Sequence, residues 1–212
     1  MLLLLILTTL TTGSSLAQQS VLLTGGFNGA EGARSGCSLL DSACPIPSLP
    51  VSEGTGSDAR SDHFVAQTED GLVLTCGGEA AEGTDDLSCV SLDLTSSPPH
   101  WTQHSIMDAP RIKATAVTLP GLGVVALGGF KEQGASVLRT GATEWEAGVL
   151  PDLFGTVDEV SYYGICSVML ADKDRFLVVG GNPHDLFGGT MVQEYDPLTG
   201  RWEMWPVLEV GS

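Results

Sequence analysis

Short runs of β-branched and aliphatic residues recur along the chain at a fixed interval, and each ends in a pair of glycines. The copies are Val21 to Gly26, Leu72 to Gly78, Gly123 to Gly129 and Arg175 to Gly181. Their glycine pairs are Gly25-Gly26, Gly77-Gly78, Gly128-Gly129 and Gly180-Gly181, with the second members 52, 51 and 52 residues apart. Four or five consecutive apolar residues predict a strand covered on both faces. The paired glycines then permit positive φ and a close approach of backbones. A period near fifty predicts stacked supersecondary units, because one such unit cannot bury its own apolar faces.

Around each diglycine strand the pattern predicts further strands, separated by Gly, Pro and Asp turns. The second unit reads as strands at His63 to Thr68, Leu72 to Gly78 and Ser88 to Leu92, with a fourth opening near Trp101. The third reads as Ile112 to Thr118, Val124 to Gly129, Ser136 to Arg139 and Trp145 to Leu150. The fourth reads as Gly164 to Leu170, Arg175 to Gly181, Thr190 to Tyr195 and Arg201 to Trp205. The first lacks a strand ahead of its diglycine strand and shows one after it, at Ser38 to Leu40. No helix signal of useful length interrupts this order. The expected units lie near 18–57, 58–107, 108–156 and 157–212. Four short strands per fifty residues imply an all-β chain of propeller blades.

The details resemble kelch repeats. Met107-Asp108-Ala109-Pro110-Arg111 and Ala59-Arg60 are similar to the turn and arginine of that pattern. Tyr195 and Trp202 resemble its tyrosine and tryptophan, as Trp101 and Trp145 do in their own units. The likeness spans Ser20 to Pro206 and implies a kelch-type β-propeller of about four blades, the first incomplete. Cys44-Pro45-Ile46-Pro47-Ser48-Leu49-Pro50, with the N-terminal leader, also resembles secreted invertebrate kelch-like proteins of unassigned function. The first unit has no tryptophan, and the fourth has no arginine before its first strand, only Val157-Asp158-Glu159-Val160. Kelch rings usually hold six or seven blades, so the resemblance implies a partial propeller or an open arc of a longer protein.

The N-terminal end changes the cellular picture. Leu2 to Leu10 is an apolar stretch too short to span a bilayer, and Ser15-Leu16-Ala17 fits a small-x-small cleavage site. Residues 1–17 are therefore read as a cleaved secretory signal, although no Lys or Arg precedes the apolar run. The remainder, 18–212, is expected outside the cell, with no membrane insertion after cleavage. The formal net charge of −17, from 26 acids against 9 bases, repels phosphate backbones and excludes nucleic acid as a natural partner. An oxidising compartment lets cysteines pair. Cys76 with Cys89 and Cys37 with Cys44 are the candidate disulfides, and Cys166 is left over. No cysteine pair has zinc-like CxxC spacing.

Candidate chemistry is sparse. His100 and His104 stand four apart on an expected strand and share a face, but with no third ligand they read as a rim pair beside Trp101. Glu79, Glu82, Asp85 and Asp86 offer oxygen ligands of the type Ca²⁺ uses, without EF-hand spacing, and read as a solvated acidic loop. Tyr162, Tyr163 and Cys166 invite comparison with secreted copper-radical oxidases, but the ligand pattern of those enzymes has no residue-by-residue match here. No nucleophile elbow, phosphate loop or zinc signature is present. The expectation is therefore a scaffold without catalysis, metal or cofactor, binding an extracellular protein or glycan through the loops after each diglycine. Those loops run from Phe27 to Arg34, Glu79 to Asp86, Phe130 to Gly134 and Asn182 to Gly189. Their candidate contact residues are Asn28, Glu31, Glu79, Glu82, Asp85, Asp86, Lys131, Glu132, Asn182, His184 and Asp185. The competing expectation is a fragment of an extracellular propeller enzyme, such as a copper-radical oxidase, whose catalytic residues lie outside this chain.

Overall fold

A computed structural model describes residues 48–50, 59–80, 83–130, 132, 134–153, 164–170, 175–180 and 191–206, together with the backbone of strands at 6–10, 18–24, 27–28, 32–33 and 37–40. In chain order the strands are β1 (Ile6–Leu10), β2 (Gln18–Thr24), β3 (Phe27–Asn28), β4 (Gly32–Ala33), β5 (Cys37–Leu40), β6 (Arg60–Ser61), β7 (Phe64–Gln67), β8 (Val73–Cys76), β9 (Glu79–Ala80) and β10 (Ser88–Asp93). They continue as β11 (His100–Ile106), β12 (Thr115–Leu119), β13 (Gly123–Leu127), β14 (Ala135–Arg139), β15 (Trp145–Ala147), β16 (Ile165–Leu170), β17 (Arg175–Gly180), β18 (Val192–Asp196) and β19 (Arg201–Met204). Three four-stranded antiparallel sheets result: β7-β8-β10-β11, β12-β13-β14-β15 and β16-β17-β18-β19. A three-stranded sheet, β1-β2-β5, precedes them. We number these sheets one to four from the N-terminus. The first strands of neighbouring sheets, β1, β7, β12 and β16, lie beside one another in that order, as the inner strands of propeller blades do.

Two particulars differ from the sequence expectation. The first sheet does have a strand ahead of its diglycine strand: Ile6–Leu10 pairs antiparallel with Gln18 to Leu22. It lies inside the segment read as a signal, and cleavage after Ala17 would remove it. Among the described residues this sheet has three strands. The second difference is one of length: β15 ends at Ala147 and not at Leu150, and β12 starts at Thr115 and not at Ile112. The intervening residues turn sharply, and Lys113 adopts a positive φ of 58°.

Sheet packing explains why the diglycine strands are apolar throughout. In β13, Val124 and Ala126 face the second sheet, in a core with Phe64, Leu74, Cys76 and Trp145. Val125 and Leu127, which alternate with them, face the fourth sheet, in a core with Phe176, Val178, Tyr195 and Trp202. Every residue of β13 is buried. Trp145 packs edge-on against Phe64 of the preceding sheet at a centroid distance of 6.1 Å. Its indole Nε1 donates to Ser105 Oγ of that preceding sheet at 3.0 Å, so its one polar atom is satisfied across the boundary. Trp202 packs against Phe176 and Tyr195 and donates across one sheet boundary to the Pro151 carbonyl at 2.8 Å.

The faces of the fourth sheet differ from one another. The face turned to the third sheet is core, whereas the far face leaves Val168 at 52% and Val179 at 36% exposure. Val117 and Leu127, one repeat earlier, are 6% and 1% exposed. The far face also carries an ion-pair network, in which Arg175 reaches Glu194 at 2.8 Å and Asp196 at 2.9 Å. Trp205 Nε1 donates to the other Glu194 oxygen at 2.8 Å.

Candidate functional site

At the diglycine end of the sheets the repeat places the same parts at the same height. Arg60 and Arg111 precede the inner strands of the second and third sheets, and both guanidinium groups are fully buried. Arg60 Nη1 donates to the Ser88 carbonyl at 3.2 Å, and Nη2 donates to Ser88 Oγ at 3.1 Å. Nη2 also lies 3.2 Å from the Asp86 carboxylate. Arg111 Nη1 donates to the carbonyls of Gly128 and Gly134 at 2.7 and 2.9 Å, and Nη2 to Ser136 Oγ at 2.6 Å. The two sites are equivalent at one atom: Ser88 O and Gly134 O each also accept from a diglycine amide, Gly77 N and Gly128 N. Each arginine thus pins the chain where it leaves the diglycine and enters the loop beyond. Burial presses Arg111 below the ordinary arginine range, with Asp108 and Glu132 acting against that shift.

The glycines are required here by space as well as by φ. A Cβ on Gly78, at φ +89°, would lie 2.4 Å from the Ser61 carbonyl and 2.8 Å from the His63 amide. A Cβ on Gly77 would lie 2.7 Å from the Arg111 carbonyl of the next sheet. Gly78 N donates to that same carbonyl at 3.0 Å. The diglycine is therefore a point where adjacent sheets meet backbone to backbone.

A second periodic feature escaped the sequence reading. Asp62, Lys113 and Gly164 stand 51 residues apart, and all three have positive φ, at 55°, 58° and 71°. Lys113 N donates to Asp62 O at 2.7 Å, and Gly164 N donates to Lys113 O at 3.0 Å. The backbone seam thus passes from sheet to sheet at the head of each inner strand, and Lys113 Nζ lies 3.9 Å from Asp62 Oδ2. The 51-residue spacing was available as a signal, but positive φ at a non-glycine residue has no mark in the sequence.

The loop candidates separate into three groups. Glu79 and Asp85 are brought together as a bridged pair, and Glu79-Ala80 is held against Arg60-Ser61. Asp85 and Phe130 are exposed at this end, and Glu79 and Glu132 are half-buried. Asp86 corrects the expectation of a solvated acidic loop: it is 1% exposed and bound to Arg60, so it holds the loop and is closed to a ligand. The remaining loop candidates (Glu31, Glu82, Lys131, Asn182, His184, Asp185) lie outside the described residues, as do Gly25, Gly26, Gly181, Tyr162, Tyr163 and Cys44. Asn28 is described only as backbone, paired with Gly32.

Other candidates resolve by position. Cys76 and Cys89 are bonded, across directly paired positions of β8 and β10. Cys37 lies in β5, with its partner candidate Cys44 outside the described residues. Cys166 is free and exposed on the far face of the fourth sheet. Among the described residues no group of three or more His, Cys, Asp or Glu is placed to hold a metal. No helix among them is long and apolar enough to cross a membrane.

No protein-family model and no curated protein matches the chain. Among solved structures, the one titled "Structure of YjhT" superposes with a TM-score of 0.54 at 14% identity, covering 78% of this chain and 54% of that one. The likeness is one of fold, to a β-propeller-type protein, and it agrees with the sheet arrangement described above. This chain spans about half the length of that structure.

Proposed function

We propose that the chain is a secreted kelch-type propeller segment that binds an extracellular protein or glycan through the loops at its diglycine end. The observation that carries this reading is the contrast between framework and loops at that end. The arginine pin and the backbone seam repeat between the second and third sheets, while the chain beyond their diglycines does not. In the second sheet it is a hairpin closed by Ala80 N donating to Thr84 O, with acidic Asp85 outside. In the third it is a short turn that presents Phe130. A rigid framework carrying divergent loops separates scaffold from recognition. The acidity of the chain favours a ligand with a basic face.

A glycan array and a panel of purified extracellular proteins, probed with the secreted protein, test this reading. The expected result is a saturable ligand that is lost when Glu79, Asp85 and Phe130 are changed together to alanine at unchanged melting temperature. Stoichiometric copper in the secreted protein, with oxidation of an alcohol substrate, would overturn the reading in favour of an enzyme. N-terminal sequencing of the same material reads the cleavage site, with Gln18 the expected first residue.

A further inference from the structure

At the opposite end of the strands, between the second and third sheets, lies a cavity of about 100 Å³. One wall is the turn Thr68 to Leu72 with His104, and the other is formed by Gly123, Val124 and the segment Leu138 to Thr143. Its mouth is fixed by Glu69, which reaches across the sheet boundary. One carboxylate oxygen accepts from Gly121 N at 2.5 Å, and the other accepts from Thr140 Oγ1. Those two donors hold the Glu69 carboxyl below the ordinary glutamate range, so the bridge is charged at neutral pH. A further link, from Thr118 Oγ1 to the Gln67 carbonyl, ties the same two sheets beside it.

His104 enters this cavity through an irregularity of its strand. The register of β10 against β11 runs Cys89 opposite Ser105 and then Val90 opposite Gln103, leaving His104 as the extra residue of a β-bulge. Bulges re-aim a side chain that a regular strand would place elsewhere. The His104 Nδ1 atom is buried without a hydrogen-bond partner. Burial holds its imidazole below the ordinary histidine pKa, with Asp70 pulling in the other direction, so the ring is neutral at pH 7. In the Nε2–H tautomer, Nδ1 offers a lone pair with no donor to meet it. An orphaned buried acceptor is costly, and a ligand that supplies a donor recovers that cost.

The other groups define what the donor must be. Asp70 lines the cavity as a second carboxylate, with one oxygen accepting from Thr68 Oγ1. Arg139, at the rim, is committed to Glu146 at 2.9 Å. Leu72, Val124, Leu138 and Ala142 supply apolar lining. The site therefore combines acceptors, negative charge and an apolar wall, with space well beyond the 10–15 Å³ or so that one water needs. The geometry points to a binding site for a primary ammonium group on a short aliphatic stem, its N–H bonds directed to His104 Nδ1 and the Asp70 carboxylate. Either a free small amine or a lysine side chain of a partner protein carries this chemistry.

Titration of the ¹³C-labelled 212-residue protein with n-butylammonium, followed by the imidazole signals, tests the site. A His104→Gln variant assigns the signal. The expected result is saturable binding that shifts His104, loses about tenfold or more in affinity in Asp70→Asn, and is absent for the neutral analogue n-butanol. Asp70 is exposed, so its variant keeps the fold, and its melting temperature verifies this. Tighter binding of Nα-acetyl-lysine methylamide than of n-butylammonium would assign the site to a partner's lysine, and the reverse would assign it to a free amine. No saturable shift, equal binding of n-butanol, or an unchanged affinity in Asp70→Asn overturns the proposal.

Discussion

The second and third sheets carry the same arginine 51 residues apart and surround it differently. Arg60 sits against a carboxylate, with Asp86 fully buried beside it. Arg111 is equally buried, yet its partners among the described residues are two carbonyls and a hydroxyl. What the two sites share is a serine hydroxyl and, at the equivalent position, the carbonyl that also accepts from a diglycine amide. That shared carbonyl identifies the arginine's task as fixing the loop exit, and among the described residues ion pairing is an addition made in the second sheet. The disulfide follows the same division. Cys76 opposite Cys89 in the second sheet corresponds to Leu127 opposite Ala135 in the third, where the ladder carries no covalent link at that position.

The largest effect that sharpens this contrast is expected from Asp86→Asn. It breaks the buried Arg60–Asp86 ion pair, at a cost of about 3–5 kcal/mol. Chemical denaturation read by tryptophan fluorescence measures it, and a loss under 1 kcal/mol would show that the hydroxyl and carbonyl suffice in both sheets. Next comes the paired substitution Cys76→Ala with Cys89→Ala. A bond between residues 13 apart closes a loop worth about 3 kcal/mol in the chain-entropy account, so melting should drop accordingly and become insensitive to reductant. Arg111→Met should cost less, about 1–3 kcal/mol, because the lost hydrogen bonds are offset by removing a buried charge that has no carboxylate partner among the described residues. A larger loss than for Asp86→Asn would invert the comparison.

The smallest effect is a pH dependence. His104 belongs to the bulged outer strand of the second sheet, and its folded-state pKa lies below the ordinary value of 6.5. The unfolded chain therefore takes up the proton first as pH falls. The contribution of His104 to stability is complete above the unfolded pKa and is lost as pH drops through 6.5 toward the folded value. His104→Gln should flatten that part of the stability profile below neutrality and leave the rest unchanged. A profile that keeps its shape in the variant would assign the slope to other groups.

Much of the fold was legible because the repeat states it four times. The diglycines mark the ends of the buried strands, and Trp145 and Trp202 mark where one sheet meets the last. The disulfide was legible too, since Cys76 and Cys89 flank one hairpin and paired positions on neighbouring strands lie close together. Other features depend on partners that the local sequence does not name. The register slip that leaves His104 unpaired is set by how β10 meets β11, and nothing near His104 announces it. Asp86 looked like one more solvated acid in an acidic run, and only the fold brings Arg60 to it from 26 residues upstream. The cavity needed both a hairpin turn and a loop from the next sheet, so it had no signature in either alone.

The seam of hydrogen bonds from Asp62 to Lys113 to Gly164 carries a consequence for how the molecule is made. Each link joins a sheet to the one synthesised just before it, and none reaches past its neighbour. A nascent chain can therefore dock each new sheet onto a finished surface about one repeat after the last, so assembly runs in the direction of translation. A lengthened loop at either end of a sheet delays the next docking step without disturbing those already complete. Such an order of construction tolerates change in the loops far better than change at the seam.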